Sequence, residues 1–523
     1  MMDRCKAKNR TRRLSSGFLH RARCRSNFDT IATMRFFALC VSLVLALFSV
    51  GCGQSADRSS RPNIIVVLAD DVGWGSLGSY GEPRIQTPNL DRLAREGRRF
   101  TQAYAPSSAC SPTRYGVMTG RYFWRSKVND GMVLSSNAPL HIETDRLTIA
   151  SLLKDQGYRT AAIGKWHLGL GSEEGRTDWA SKLVPGPRSI GFDYFFGLSA
   201  NPRNGPHSFI ENEELMGKLP GRPVSISGFG AHAKTSGIVA PFKTDEIMQN
   251  ITKRVTTWIA ENHADPFFVY FAPNAVHTPI APNRAFTGSP YGKYGDFIHE
   301  VDASVGQILA TLDALDLAKD TLVIFTSDNG GDINRGSPVH MQAMDSGLKP
   351  NGDLRGGKLH VWEGGFRVPF IVRWPGQVPE DSVSEQILSL TDLLATFAQI
   401  TDVPLPDGAA EDSFDMLAAF TESTQGPPLR NRIVLQAGDA TFAIREADWK
   451  LVERADPPDI RTARPKRAER IANMRANAPQ QDQLFFLAKD PSEENDVREL
   501  FPERAARMRE RLALDRSASQ TRP

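Results

Sequence analysis

Cys110-Ser111-Pro112-Thr113-Arg114 sets a thiol and a guanidinium four residues apart, one helical turn. At that spacing the cation can lower the thiol pKa or clamp an anion, so the residues alone describe a reactive cysteine and no more. Asp70-Asp71 closes an apolar run, and adjacent carboxylates repel unless a cation or solvent lies between them. Asp328-Asn329-Gly330-Gly331 closes a second such run. Three carboxylates and one amide oxygen form a hard, all-oxygen donor set, suited to Ca2+ or Mg2+ rather than Zn2+. Either pair alone is an ordinary turn. Together at matched strand ends they predict a metal site. Lys165-Trp166-His167 spaces a cation and an imidazole so that both project to one side of an extended segment, a pattern that by itself more often marks a plain surface strand.

These groups need elements to position them. The β-branched run Asn63–Ala69 reads as a central parallel strand buried on both faces. Thr87-Pro88 starts a helix that stops at Gly97. Further helices are predicted over Ile149–Lys154, Glu246–Asn262, Val301–Leu315 and Ile387–Ile400, alternating with strands Thr160–Ile163, Phe267–Phe271, Thr321–Thr326 and Val368–Arg373. Strands alternating with helices imply a doubly wound α/β domain with a mostly parallel sheet, whose strand carboxyl ends form the binding crevice. Past residue 430 the style changes to short strands at Arg432–Gln436, Thr441–Arg445, Lys450–Val452 and Gln483–Leu487. A final helix follows near Arg504–Leu514. This predicts a smaller α+β domain. The basic stretch Arg461–Arg475 reads as a solvated loop or insertion.

Composition narrows the class. Apolar residues at 40% and charged residues at 24% are ordinary globular values, and 523 residues suffice for two domains. The net charge of +3 conceals a basic leader: residues 1–52 hold 10 Lys and Arg against 2 Asp and Glu, leaving 53 bases and 58 acids. The body carries no bias toward nucleic acid. From Met34 a single Arg precedes an apolar run that ends at Gly51-Cys52, a signal-peptide pattern rather than a transmembrane helix. Gly51-Cys52 resembles a bacterial lipoprotein cleavage site with Cys52 as the lipidated residue, and residues 1–33 read as an untranslated upstream stretch. The expectation is an exported protein, periplasmic or at the cell surface. Of the five cysteines, Cys5, Cys24, Cys40 and Cys52 lie in the leader, so Cys110 has no intramolecular disulfide partner.

Cys110-x-Pro112-x-Arg114 with Thr119-Gly120-Arg121 downstream resembles the signature of type I, formylglycine-dependent sulfatases. Asp70-Asp71-Val72-Gly73-Trp74-Gly75 and Gly164-Lys165-Trp166-His167-Leu168-Gly169 resemble the opening strand and second signature of that family. Stretches at 291–296 and Glu300-Val301-Asp302 are similar to its arylsulfatase A and N-acetylgalactosamine-6-sulfatase branch. The resemblance implies an alkaline-phosphatase-like fold over 62–425, a smaller domain over 426–523, a leader over 1–52 and a linker over 53–61. It further implies oxidation of Cys110 to formylglycine by a formylglycine-generating or anaerobic sulfatase-maturating enzyme. Asp70, Asp71, Asp328, Asn329 and the modified Cys110 would hold one Ca2+. Arg114, Lys165 and Lys358 would face the sulfate, His167 would hold or deprotonate the hydrated aldehyde, and His277 would protonate the leaving oxygen. The expected substrate is an aryl or carbohydrate sulfate. Phosphate or phosphonate ester hydrolases of the same superfamily share the Cys-x-Pro-x-Arg core, and an inactive sulfated-glycan-binding protein is the non-enzymatic alternative. Gly-Lys-Trp-His and filled catalytic positions favour a sulfatase. Seven other histidines read as surface or core. His207, with Arg203 and Trp362, stands as an outside candidate for the pocket border.

Overall fold

Apolar, β-branched runs become the strands of one large sheet. The computed structural model describes residues 61–522 apart from 128–132, 172–176, 228–233, 240, 334–335, 424–425 and 455–478. In chain order the first elements are β1 (Asn63–Ala69), α1 (Pro88–Arg95), β2 (Arg98–Phe100), α2 (Cys110–Thr119) and α3 (Ile149–Asp155). They are followed by β3 (Arg159–Lys165), β4 (Tyr194–Leu198) and the hairpin β5 (Ile210–Glu211) with β6 (Glu214–Leu215). Next come α4 (Ile247–Asn262), β7 (Phe267–Ala272), α5 (Gly292–Ala314) and β8 (Thr321–Ser327). β9 (Phe370–Arg373), β10 (Ser382–Ser384) and α6 (Leu393–Ile400) complete this part.

The sheet order is β10-β2-β9-β8-β1-β7-β3-β4-β5-β6. Its five central strands, β8 to β4, are parallel, whereas β9 runs antiparallel to β8 and β5 antiparallel to β4. It is a mixed sheet with a parallel centre. Successive residues of β1 point to opposite faces, so Ile64, Val66 and Leu68 pack with α3 and α6. Ile65 and Val67 pack on the other side with α1, α4 and α5. Helices therefore cover both faces.

A second, wholly antiparallel sheet holds β11 (Arg432–Gln436), β12 (Phe442–Glu446), β13 (Trp449–Val452) and β14 (Gln483–Phe486). One face of it packs on α7 (Pro502–Ser517) through Val434, Ile444, Leu451, Met508 and Leu512. Its other face packs Ile433, Leu435 and Phe485 against Tyr104, Trp362 and Phe366.

Two elements depart from the sequence reading. The stretch expected as a helix over Ile387–Ile400 begins as a strand at Leu388–Ser389 paired with Ala103–Tyr104. The Asp392 carboxylate then accepts from the Ser389 amide at 2.8 Å, closing a 3-10 turn over Leu390–Asp392 from which the α-helix continues at Leu393. Conversely, α5 starts nine residues before Val301, because Tyr294, Phe297 and Ile298 share the helical stripe that reaches the core. The leader, Cys52 and the basic stretch Arg461–Arg475 lie outside the described residues.

Candidate active site

Register decides what meets here. Ala69 pairs with Ser327, and Ala272 pairs with Gly164, so β1, β8, β7 and β3 end level with one another. Asp70, Asp328 and Lys165 therefore emerge side by side, with the 273–277 segment between the first and the last. The loops behind them interlock because glycine permits it. A Cβ on Gly330 would stand 1.8 Å from the Gly364 carbonyl oxygen, and one on Gly73 would stand 2.1 Å from that of Pro350. Cys110 enters from the first turn of α2, fully buried, with Sγ 3.7 Å from Asp70 Oδ1.

Lys165 Nζ contacts both Asp70 carboxylate oxygens, at 2.8 and 2.7 Å. Arg114 donates to Asp328 Oδ2 from Nε at 3.1 Å and from Nη2 at 2.7 Å, and its Nη2 lies 3.6 Å from Asp70. Lys358 Nζ is 2.7 Å from Asp71 Oδ2, and Asn329 Nδ2 donates to Asp71 Oδ1 at 2.8 Å. His277 Nε2 lies 3.9 Å from Asp71 Oδ2. Asp70, Asp71, Cys110, Arg114, Lys165, His277, Asp328, Asn329 and Lys358 thus come together here. Asp71, His167 and Leu359, beside Lys358, all have φ between 57° and 72°, left-handed backbone that costs non-glycine residues about 1–3 kcal/mol each.

Burial and charge set the protonation states. Burial raises Asp70 to about 7 even against Lys165, with Asp328 and Asp71 adding repulsion. Burial also works to raise Asp71, but Lys358, His277 and Lys165 outweigh it and hold that carboxyl well below its usual range. The Cys110 thiol is pushed up to about 12, by burial first and by Asp328 next. Of the two roles the spacing left open to Arg114, lowering the thiol pKa is not the one it plays: the guanidinium is spent on Asp328, so an unmodified Cys110 stays protonated.

Each histidine keeps one nitrogen free. His167 Nε2 lies 3.1 Å from the Leu134 carbonyl oxygen and must donate to it, which leaves Nδ1 as a lone pair, buried and without a partner among the described residues. Burial, then Lys165 and Arg114, keep this imidazole neutral. His277 Nδ1 is 2.6 Å from the Thr278 carbonyl oxygen, so the lone pair of Nε2 faces Asp71. Burial and Lys358 keep this ring neutral as well.

The donor set suits a hard divalent cation. Ligand atoms of Asp70, Asp71, Cys110 and Asp328 lie within 4.8 Å of one another, and Asn329 Oδ1 is buried with no partner. An orphaned amide oxygen facing clustered carboxylates is what an oxygen-ligated Ca2+ would satisfy.

Other candidates resolve differently. Trp362 is core, stacked edge-on against Phe485 under the Arg355 guanidinium. His207 is held by Thr235 at 2.9 Å, and Arg203 is exposed. Glu300 and Asp302 brace the scaffold: Glu300 accepts from the Asn283 amide and Asp302 from the Asn89 and Leu90 amides of α1. Tyr270, whose hydroxyl lies 3.4 Å from Arg114 Nη1, was missed, although a lone phenol in an apolar strand could have flagged it. Asn274, three residues before His277, has both amide atoms buried without partners, and nothing in the sequence marks it.

Known proteins resemble this chain along most of its length. The family described as Sulfatase matches residues 62–403. An N-acetylgalactosamine-6-O-sulfatase of Bacteroides thetaiotaomicron is 36% identical over 492 residues, covering 87% of this chain and 94% of that protein. The human steryl-sulfatase is 35% identical over 422 residues, covering 70% of this chain and 71% of that one. A solved structure described in connection with glycosaminoglycan metabolism by Bacteroides thetaiotaomicron superposes with a TM-score of 0.81 at 35% identity, covering 88% of this chain and all of the other.

Proposed function

The chain belongs to the sulfatase family and is a sulfuric ester hydrolase, and from that premise we propose that it cleaves a carbohydrate sulfate with a formylglycine made from Cys110. The observation that carries the reading is the convergence of Lys165, Lys358, Arg114 and two neutral histidines on the buried Cys110 and its aspartates. A maturating enzyme would supply the aldehyde; one hydroxyl of its hydrate attacks sulfur as the ester S–O bond breaks and the alcohol leaves, and deprotonation of the second hydroxyl re-forms the aldehyde and expels sulfate.

Lys165 and Lys358 turn from the aspartates toward sulfate oxygens, where negative charge grows in the transition state. Arg114 stays on Asp328 and fixes it. The free Nδ1 of His167 is the base that removes a proton from the nucleophilic residue. An anionic ester beside Lys358 offsets the positive charge that keeps His277 neutral, so this imidazole can carry a proton to the leaving oxygen. A Ca2+ held by Asp70, Asp71, Asp328 and Asn329 supplies further positive charge on the sulfate.

A carbohydrate substrate is supported by the match along 94% of the bacterial N-acetylgalactosamine-6-O-sulfatase, against 71% of the steryl enzyme. The test is release of inorganic sulfate from N-acetylgalactosamine 6-sulfate, other sulfated sugars and a steryl sulfate. Faster turnover of the steryl ester would overturn the substrate class. Peptide mass spectrometry across Cys110, on protein from the native host, should show a loss of about 18 Da relative to the thiol. Only thiol would overturn the nucleophile. We also propose export, supported by the apolar run before Cys52, and cell fractionation with lipid labelling at Cys52 tests it.

A further inference from the structure

Lys358 reaches Asp71 from a loop held on two sides: its own amide donates to the Gly331 carbonyl beyond β8, and the ends of the loop are tied to a buried ion cluster against the smaller sheet. Lys450, on β13, is fully buried, with Nζ 2.8 Å from Glu493 Oε1 and 3.1 Å from Glu363 Oε1. Both carboxylates are likewise buried. One ammonium thus pairs with two carboxylates. The rest of the cluster is aimed at backbone. Glu493 Oε2 accepts from the Glu363 amide at 2.6 Å, and the Glu493 carbonyl accepts from Arg355 Nη1 at 2.8 Å. Glu493 adopts left-handed backbone (φ 51°) in doing so, although it is not glycine. Arg355 lies over the Trp362 ring at 3.5 Å, and its carbonyl accepts from the Gly364 amide. Residues 355 and 363 are thus tied to one side chain and its own carbonyl, and Lys358 lies between them. Tyr104 donates to Glu363 Oε2 at 2.6 Å and closes the cluster.

Three buried charges are a poor way to join a sheet to a loop, since apolar residues of similar volume would hold it as firmly. Their orientation is what an apolar triad could not supply. We propose that Lys450 and Glu493 are positioning residues for Lys358, holding the 355–363 loop so that the Lys358 ammonium meets the sulfate. The proposal rests on the sulfatase reading above.

A double-mutant cycle tests it. Lys450→Met and Glu493→Gln, each alone, should lower kcat on an aryl or sugar sulfate by about tenfold or more and weaken inhibition by inorganic sulfate. Combined with Lys358→Ala, they should cost no more than Lys358→Ala alone, because the residue they act through is gone. Arg432→Met, which breaks an ion pair to Asp515 elsewhere in the same sheet, controls for general loosening and should leave kcat within about twofold. Should Lys450→Met not fold, Arg355→Met, at the surface, carries the same expectation. Effects that add to Lys358→Ala, or a kcat matching wild type in folded variants, would overturn the positioning role while the active wild type keeps the sulfatase reading. An inactive wild type carrying formylglycine would overturn both. Calorimetric titration of inorganic sulfate into wild type and variants reads the same contact without turnover.

Discussion

The two sheets contribute to the site in opposite ways. The large sheet delivers side chains: Asp70, Asp328 and Lys165 leave its central strands level with each other, and Cys110 and His277 follow from adjoining segments. The small antiparallel sheet delivers no reacting group, yet its first turn is hydrogen-bonded to both sides of the site. Gly438 N donates to the Leu359 carbonyl, and Gln436 exchanges backbone hydrogen bonds with Pro106 and Ser108, just before Cys110. One sheet supplies the chemistry and the other borders it. Activity and stability should therefore separate according to where a substitution falls.

The sharpest way to break that division is Cys110→Ala. It should reduce turnover of a sulfate ester by about a thousandfold or more without lowering the melting temperature, as assayed on the same preparation. Asp328→Asn strikes both properties, because it strips the buried Arg114 of its charged partner. A loss of about 3–5 kcal/mol by urea denaturation is expected. If stability holds, Asp70 at 3.6 Å has taken over the guanidinium. Asp302→Asn belongs to the helix layer and should move stability alone. Burial raises Asp302 to about 6, so the fold favours its protonated form. Its contribution is present below pH 4 and is lost as pH rises through 6. The variant should therefore flatten the fall in stability across that window, with a relative gain on the order of 2 kcal/mol at pH 8 and kcat unchanged. Smallest is Arg432→Met in the second sheet. Arg432 is partly exposed and Asp515 buried, and the pair should be worth about 1 kcal/mol in the same denaturation experiment.

Much of this was legible in the chain. β1 and β8 announce themselves because a strand buried on both faces has no polar position, and a polar pair immediately after such a run must sit at its end. The chemistry of Asp70-Asp71 and Asp328-Asn329 was readable for that reason. Lys358 was not, except by family resemblance, since a lysine among glycines has no local signature and its position depends on Glu493, 135 residues later. The thiol pKa was left open because spacing shows that Arg114 can reach Cys110 and cannot show that Asp328 claims it first. The edges of the large sheet escaped too. β5 and β6 are two residues each, too short for periodicity to register.

Cys110 has no solvent-exposed surface once α2 is packed beneath the aspartates. An enzyme that alters this side chain would find no access to it in the folded protein. The alteration then has to happen on the nascent or unfolded chain, and the folded protein keeps whatever state it received. A preparation would be a fixed mixture of competent and incompetent molecules, its proportion set during synthesis and beyond correction by later treatment.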